Sequence, residues 1–189
     1  IAVQSINPGI EVFDGMLDYR IENGEILMLQ EGTWPFLVGT LTLKPSRFGF
    51  SREERREFTM VIKGAEAAQF IQQMELGNIS ATGTFDGELP LVFEGVDGRI
   101  VGGKLTARDP GGNLSYVGEL TYEDMGAIAN FAFGALRSLD YEEMTLQIDG
   151  PLTGDLVTKI QFDGVSQGEG ANQNFITRQI AELPIEFNV

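Results

Sequence analysis

The residues able to carry chemistry in this chain are almost all carboxylates, because its 189 residues include neither His nor Cys. Without imidazole, His-based triads, His acid–base catalysis and His-ligated zinc or iron are excluded. Without thiol, disulfides, thiolate nucleophiles and thiolate metal sites go too. What remains is Asp140, Glu142 and Glu143, clustered after a helical segment, with Asp97 and Asp109 in turns flanking one strand. No spacing among them resembles a calcium loop, and nothing singles out two of them as a glycosidase pair. A solvated acidic surface accounts for them. No catalytic residue, metal ligand or cofactor is assigned.

Three other features invite a functional reading. Ser51 to Glu57 (SREERRE) sets three Arg beside three Glu; a self-neutralising exposed turn fits this run, with a headgroup or phosphate clamp as the alternative. Trp34, followed by Pro35 and Phe36, is either an interfacial aromatic anchor or a plug at a sheet corner, and the plug is the expectation. Gly39, Gly102 and Gly103 lack the Lys-Ser/Thr and the helix of a phosphate loop, so they read as bulges or tight bends.

Period-two alternation, punctuated by 24 glycines, dominates the chain and predicts antiparallel strands with one apolar and one wet face. The apolar face takes Phe13, Gly15, Leu17, Tyr19 and Ile21, then Leu37, Leu41 and Leu43, then Phe58, Met60 and Ile62. It continues through Leu89, Leu91 and Phe93, Val101 and Leu105, and Leu114, Tyr116, Leu120 and Tyr122. Met144, Leu146 and Ile148, then Leu156, Ile160 and Phe162, complete it.

Two stretches switch to helical spacing. Ala65 to Glu75 does so through Ala67, Phe70, Ile71 and Met74, and Glu123 to Leu139 through Met125, Ile128, Ala132 and Leu136. Segment 165–182 is expected as a loop with a possible helical turn. The pattern around Gly24-Glu25-Ile26 and Gly39-Thr40-Leu41 returns at Gly87-Glu88-Leu89 and Gly103-Lys104-Leu105, an offset of 63 to 64 residues. The chain thus divides into sheet-plus-helix repeats at 1–77 and 78–140, with a third begun at 141–189, all in one continuous sheet. Beginning at Ile1 and ending in the strand-like run Leu183 to Val189, it reads as a piece of something longer.

About ten strands ~4.8 Å apart and ~23 Å long present a face on the order of 1,100 Å². Two helices shade roughly 400 Å² of it. The face must therefore fold onto itself, close into a barrel, or curl into a trough that something else fills. Net charge separates the possible occupants: at −15, with 28 acidic against 13 basic residues and no Lys/Arg run to offset it, the chain repels nucleic acid and anionic lipid headgroups. No run approaches the ~20 apolar residues of a spanning helix. The absence of Cys fits an oxidising compartment such as a periplasm.

The strings TWPFLVGTLTL (33–43) and GELPLVFEGVDGRIVGGKLTA (87–107) resemble the C-terminal region of the YdbH family, within the AsmA-like group that includes TamB. The ending through Phe175, Ile176, Leu183, Pro184, Phe187 and Asn188 does so too. Val38 departs from the pattern, standing where a Gly-Gly pair like Gly102-Gly103 is expected. The resemblance implies a mainly β fold with two helices (α+β), its long twisted antiparallel sheet curled into an open, apolar-lined groove. It also implies a non-enzymatic bridge moving phospholipids between inner and outer membranes, with acyl chains in the groove. The implied location is the periplasm, with an inner-membrane anchor N-terminal to these residues and a small outer-membrane lipoprotein added as a strand near the C-terminal end. The alternative is a self-packed structural or adhesive β-sandwich or solenoid without lipid.

Overall fold

The computed structural model describes residues 1–6, 11–51, 55–117, 138–154, 156–167 and 186–188. In chain order the elements are β1 (Ala2–Ile6), β2 (Val12–Glu22), β3 (Ile26–Phe36), β4 (Gly39–Leu43), β5 (Ser46–Gly49), β6 (Arg56–Glu66), α1 (Ala67–Gln73), β7 (Ile79–Ala81), β8 (Thr84–Glu94) and β9 (Asp97–Ala107). They are followed by β10 (Gly112–Tyr116), β11 (Leu139–Tyr141), β12 (Glu143–Pro151), β13 (Val157–Asp163), β14 (Ser166–Gln167) and β15 (Glu186–Asn188). Among the described residues α1 is the one helix. The second expected helix, over 123–139, lies outside them except for its last two positions: Ser138 is in a bend and Leu139 is in β11.

An antiparallel main sheet runs β1-β2-β3-β4-β6-β8-β9-β12-β13-β15, with β5 added alongside β3. It is not closed into a barrel, since β1 and β15 end it on opposite sides. The run from Leu183 to Val189, expected as an unpaired edge, supplies β15, whose residues Glu186–Asn188 pair with Val157–Lys159. Four main-sheet strands also continue past a corner into a smaller sheet ordered β14-β11-β10-β7. Thr82-Gly83, Arg108–Gly111, Glu142 and Gly164-Val165 form the bend. Strand order is the same on both sides, so the small sheet is the folded-over end of β8, β9, β12 and β13.

Cross-strand register aligns the apolar residues in rows. Trp34, Leu41 and Ile62 face one another in sequence, and the row continues through Gly87, Leu105, Leu146 and Ile160. The next row holds Leu17, Gly32, Leu43, Met60 and Leu89. One cluster joins β2, β3, β4, β6, β8 and β9, and a second fills the corner with Phe85, Leu139, Tyr141, Met144 and Phe162. Helix α1 buries only Ala67. Among the described residues no second layer of helices covers the first cluster, yet Leu41 is fully buried and Ile62 nearly so.

Candidate functional site

The face that could receive a ligand is the inner face of the main sheet. Leu17, Leu41, Leu43, Phe58, Met60, Ile62, Leu89, Leu91, Phe93, Leu105, Leu146, Ile148, Ile160 and Phe162 all pack there, buried or half-buried. Among the described residues no polar or charged side chain is buried as a whole. Burial is graded along the strands. Trp34, Leu41 and Ile62 are closed off, whereas Tyr19 and Ile21 lie on the same face but are 44% and 50% exposed.

Several placements differ from simple alternation, each for a local backbone reason. Asp14 has a left-handed φ of 58°, and this single step turns Val12 inward (4% exposed) and Phe13 outward (52%). Gly102, at φ 67°, sits in a bulge of β9 opposite Asp149. That bulge makes Ile100 the buried residue and leaves Val101 43% exposed, away from the face where alternation put it. The Gly102-Gly103 pair was the available signal: an extra residue in one strand flips the parity of everything before it.

Leu37 is no strand residue either. With Val38 it forms the two-residue turn between β3 and β4, both at positive φ (49° and 70°), a conformation that hairpin twist favours and a β-branched Val resists. Leu114 and Tyr116 belong to the small sheet, opposite Ala81 and Ile79, so they line the corner and not the main face. Leu120 and Tyr122 lie outside the described residues. Alternation also passed over Leu27, Leu29, Phe36 and Phe48, which pack on the inner face.

Trp34 is 2% exposed, which sets aside the interfacial-anchor alternative. Its indole lies over two glycines: a β-carbon on Gly15 would come within 1.9 Å of Nε1, and one on Gly32 within 2.6 Å of the ring. Its Nε1–H is buried without an acceptor.

Charges sit on the outer face and at the rims. Asp86 accepts from both Nε and Nη2 of Arg108 at 2.7 Å and from Gly64 N at 2.8 Å; the Arg108 hydrogen bonds hold its carboxyl below the usual range. Of the acidic candidates, Asp140 accepts from Asn113 Nδ2 at 2.6 Å, and Glu142 lies against Gly164 at the corner. Among the described residues no group of three acids could hold a metal ion, and no helix is long and apolar enough to cross a membrane. In the run 51–57, Arg55 pairs with Glu57 at 2.9 Å. Arg56 Nη2 donates to Gly95 O, and Arg52, Glu53 and Glu54 lie outside the described residues.

A wide antiparallel sheet, apolar along one side and charged on the other, is the framework of a protein that holds something greasy or packs upon itself. The family comparison decides the lineage: over residues 1–189 the chain matches the family model described as YdbH-like, intermembrane phospholipid transport protein YdbH. The chain belongs to the YdbH-like family, whose description is phospholipid transport between membranes. Comparison with curated proteins and with solved structures returns no match.

Proposed function

We propose that this chain is a non-enzymatic segment of a phospholipid conduit, in which acyl chains lie along the inner face of the main sheet while polar heads stay at its rim. One observation carries this: the apolar rows run in register across successive strands, with no whole buried polar side chain among the described residues, and they lead out to Tyr19 and Ile21, which are left half in water. A chain laid on them removes about 0.8 kcal/mol of apolar hydration cost per CH₂. Because aliphatic rows offer no polar anchor, that gain is spread evenly and a lipid can slide.

Family membership supports the cargo. In this proposal the closed centre at Trp34, Leu41 and Ile62 is one state of the conduit and must part to admit lipid. The setting is the periplasm, with an inner-membrane anchor N-terminal to these residues and strands donated at the β15 side by a small outer-membrane lipoprotein. A self-packed structural sheet is the second reading, favoured by the burial at that centre.

Paired substitutions discriminate. Ile21→Asp places a charge on the half-exposed inner face, and Met16→Asp places one at an outer position that is 61% exposed. Lipid occupancy, measured by extraction from purified protein, is expected to fall at least about tenfold for Ile21→Asp, equivalent to roughly 1.4 kcal/mol, and to hold for Met16→Asp. Equal occupancy in both variants would favour the self-packed reading.

A further inference from the structure

Strands β5 and β6 lie side by side without sharing a ladder. β4 pairs with β6 from Thr40 to Leu43, and Lys44 N still donates to Thr59 O at 2.9 Å. Beyond Pro45 the two part: β5 pairs with β3 alone, and among the described residues no backbone hydrogen bond joins Ser46–Gly49 to Arg56–Phe58. The inner side of this seam is closed by rings. Phe48 meets Phe58 edge to face at 5.1 Å, and Phe58 meets Phe93 at 5.5 Å. Side chains can change rotamer and separate where a backbone ladder cannot without leaving its donors and acceptors unpaired.

The seam also carries a cation with unused capacity. Arg56 lies opposite Phe93 in the β6–β8 ladder. Its neighbours meet carboxylates: Arg47 shares Glu22 with Arg20, at 3.3 Å and 2.9 Å, and Arg55 meets Glu57 at 2.9 Å. Arg56 has no carboxylate partner among the described residues, and its Nε–H is buried without an acceptor while Nη2 holds Gly95 O. In a chain of net charge −15, an Arg with no carboxylate partner among the described residues, set beside an aromatic seam, is matched to an anion on an apolar stem. A guanidinium offers phosphate two parallel N–H donors.

We propose that the β5–β6 seam is a lateral portal: the Phe48–Phe58–Phe93 rings part to pass an acyl chain to the inner face, and Arg56 holds the phosphate of that phospholipid at the entrance. This rests on the lipid-holding reading above and adds to it a place of entry and a headgroup contact. Because the native sequence has no Cys, the seam can be locked cleanly. Phe48→Cys/Phe58→Cys joined by a short bis-maleimide ties β5 to β6, and Thr42→Cys/Val61→Cys, joined in the same way, ties two strands that are already paired.

Each protein is mixed with vesicles of phosphatidylglycerol and the lipid it takes up is measured before and after cross-linking. Locking the seam is expected to cut uptake at least tenfold and locking β4 to β6 to leave it unchanged. Equal uptake by the locked and unlocked seam overturns the portal alone, whereas no uptake by the unaltered chain overturns the lipid-holding reading and the portal with it. If the double Cys variant fails to fold, a photo-crosslinking residue in place of Phe58 is expected to capture lipid, and one in place of Val61 is not; the reverse overturns the portal. Arg56→Gln is expected to lower phosphatidylglycerol uptake to the level of uncharged diacylglycerol, with Arg56→Lys recovering part of the difference. A loss shared equally by both lipids, or no loss, overturns the phosphate contact.

Discussion

At Gly15, any side chain would have to occupy space filled by the Trp34 indole, 1.9 Å from its Nε1. The glycine is there to let a large ring lie flat on the sheet, and the ring restores the apolar cover that two glycines forfeit. Trp34→Ala is expected to cost about 3–5 kcal/mol, as for other fully buried aromatics. Gly15→Ala is expected to cost about 1–3 kcal/mol through overpacking. Urea melts of both variants check this; a loss under ~0.5 kcal/mol for either would show that the ring is not fixed there. A second residue-scale device occurs twice. Asp86 accepts from the N–H of Gly64, and Asp149, 63 residues further on, accepts from the N–H of Gly102 at 2.6 Å. Both glycines occupy left-handed bulge positions, φ 73° and 67°. Asp149→Ala is expected to destabilise by about 1 kcal/mol and Asp149→Asn, which keeps an acceptor, by less; equal losses would refute the lock. These bulges are also why Val101 was misplaced from sequence. Counting alternate residues assumes an unbroken pleat, and a single left-handed step breaks it.

Among the elements, the strands were legible because burial on one face forces period two. Their apolar faces follow the pattern over β4, β6, β8, β12 and β13, and not over β3, where Leu27, Leu29 and Phe36 were passed over. Helix α1 was legible in position but is shorter than its apolar spacing suggested, and only Ala67 is buried. The corner was not legible. A strand that turns into a second sheet keeps the same alternation on both sides, so Leu114 and Tyr116 looked like more of one face. Tyr141 holds that corner: it is 2% exposed, its hydroxyl donates to Thr82 O at 2.6 Å, and its ring meets Phe162 at 5.9 Å. Gly83 and Gly112 leave room for the hydroxyl, since a β-carbon on either would approach within 2.5 Å. Burial pushes the phenol pKa up to about 12. The folded state thus binds the proton more tightly than the unfolded chain, whose phenol titrates near 10. The stability this contributes is complete below pH ~10 and declines as pH rises toward ~12, by about 1.4 kcal/mol per unit. Alkaline unfolding curves should show that slope in the native protein and not in Tyr141→Phe, which instead loses about 1 kcal/mol at neutral pH with its hydrogen bond. An unchanged alkaline slope would rule Tyr141 out as its source.

For the whole molecule, the area estimate from sequence expected a face larger than two helices can cover; among the described residues α1 buries only Ala67. It could not tell how that face is closed. The bulges at Gly64 and Gly102 and the corner depend on single left-handed residues, whereas hydrophobic content is spread over the whole chain. The centre at Leu41 and Ile62 is buried, whereas Tyr19 and Ile21 on the same face are about half exposed. The family description is phospholipid transport between membranes; in the proposed reading the apolar rows hold the tails. The most direct measurement is mass spectrometry of the organic extract of this chain, purified without detergent from cells. The conduit account predicts phospholipid in at least equimolar amount, lost from Ile21→Asp. Protein that is folded, monodisperse and free of lipid would contradict it.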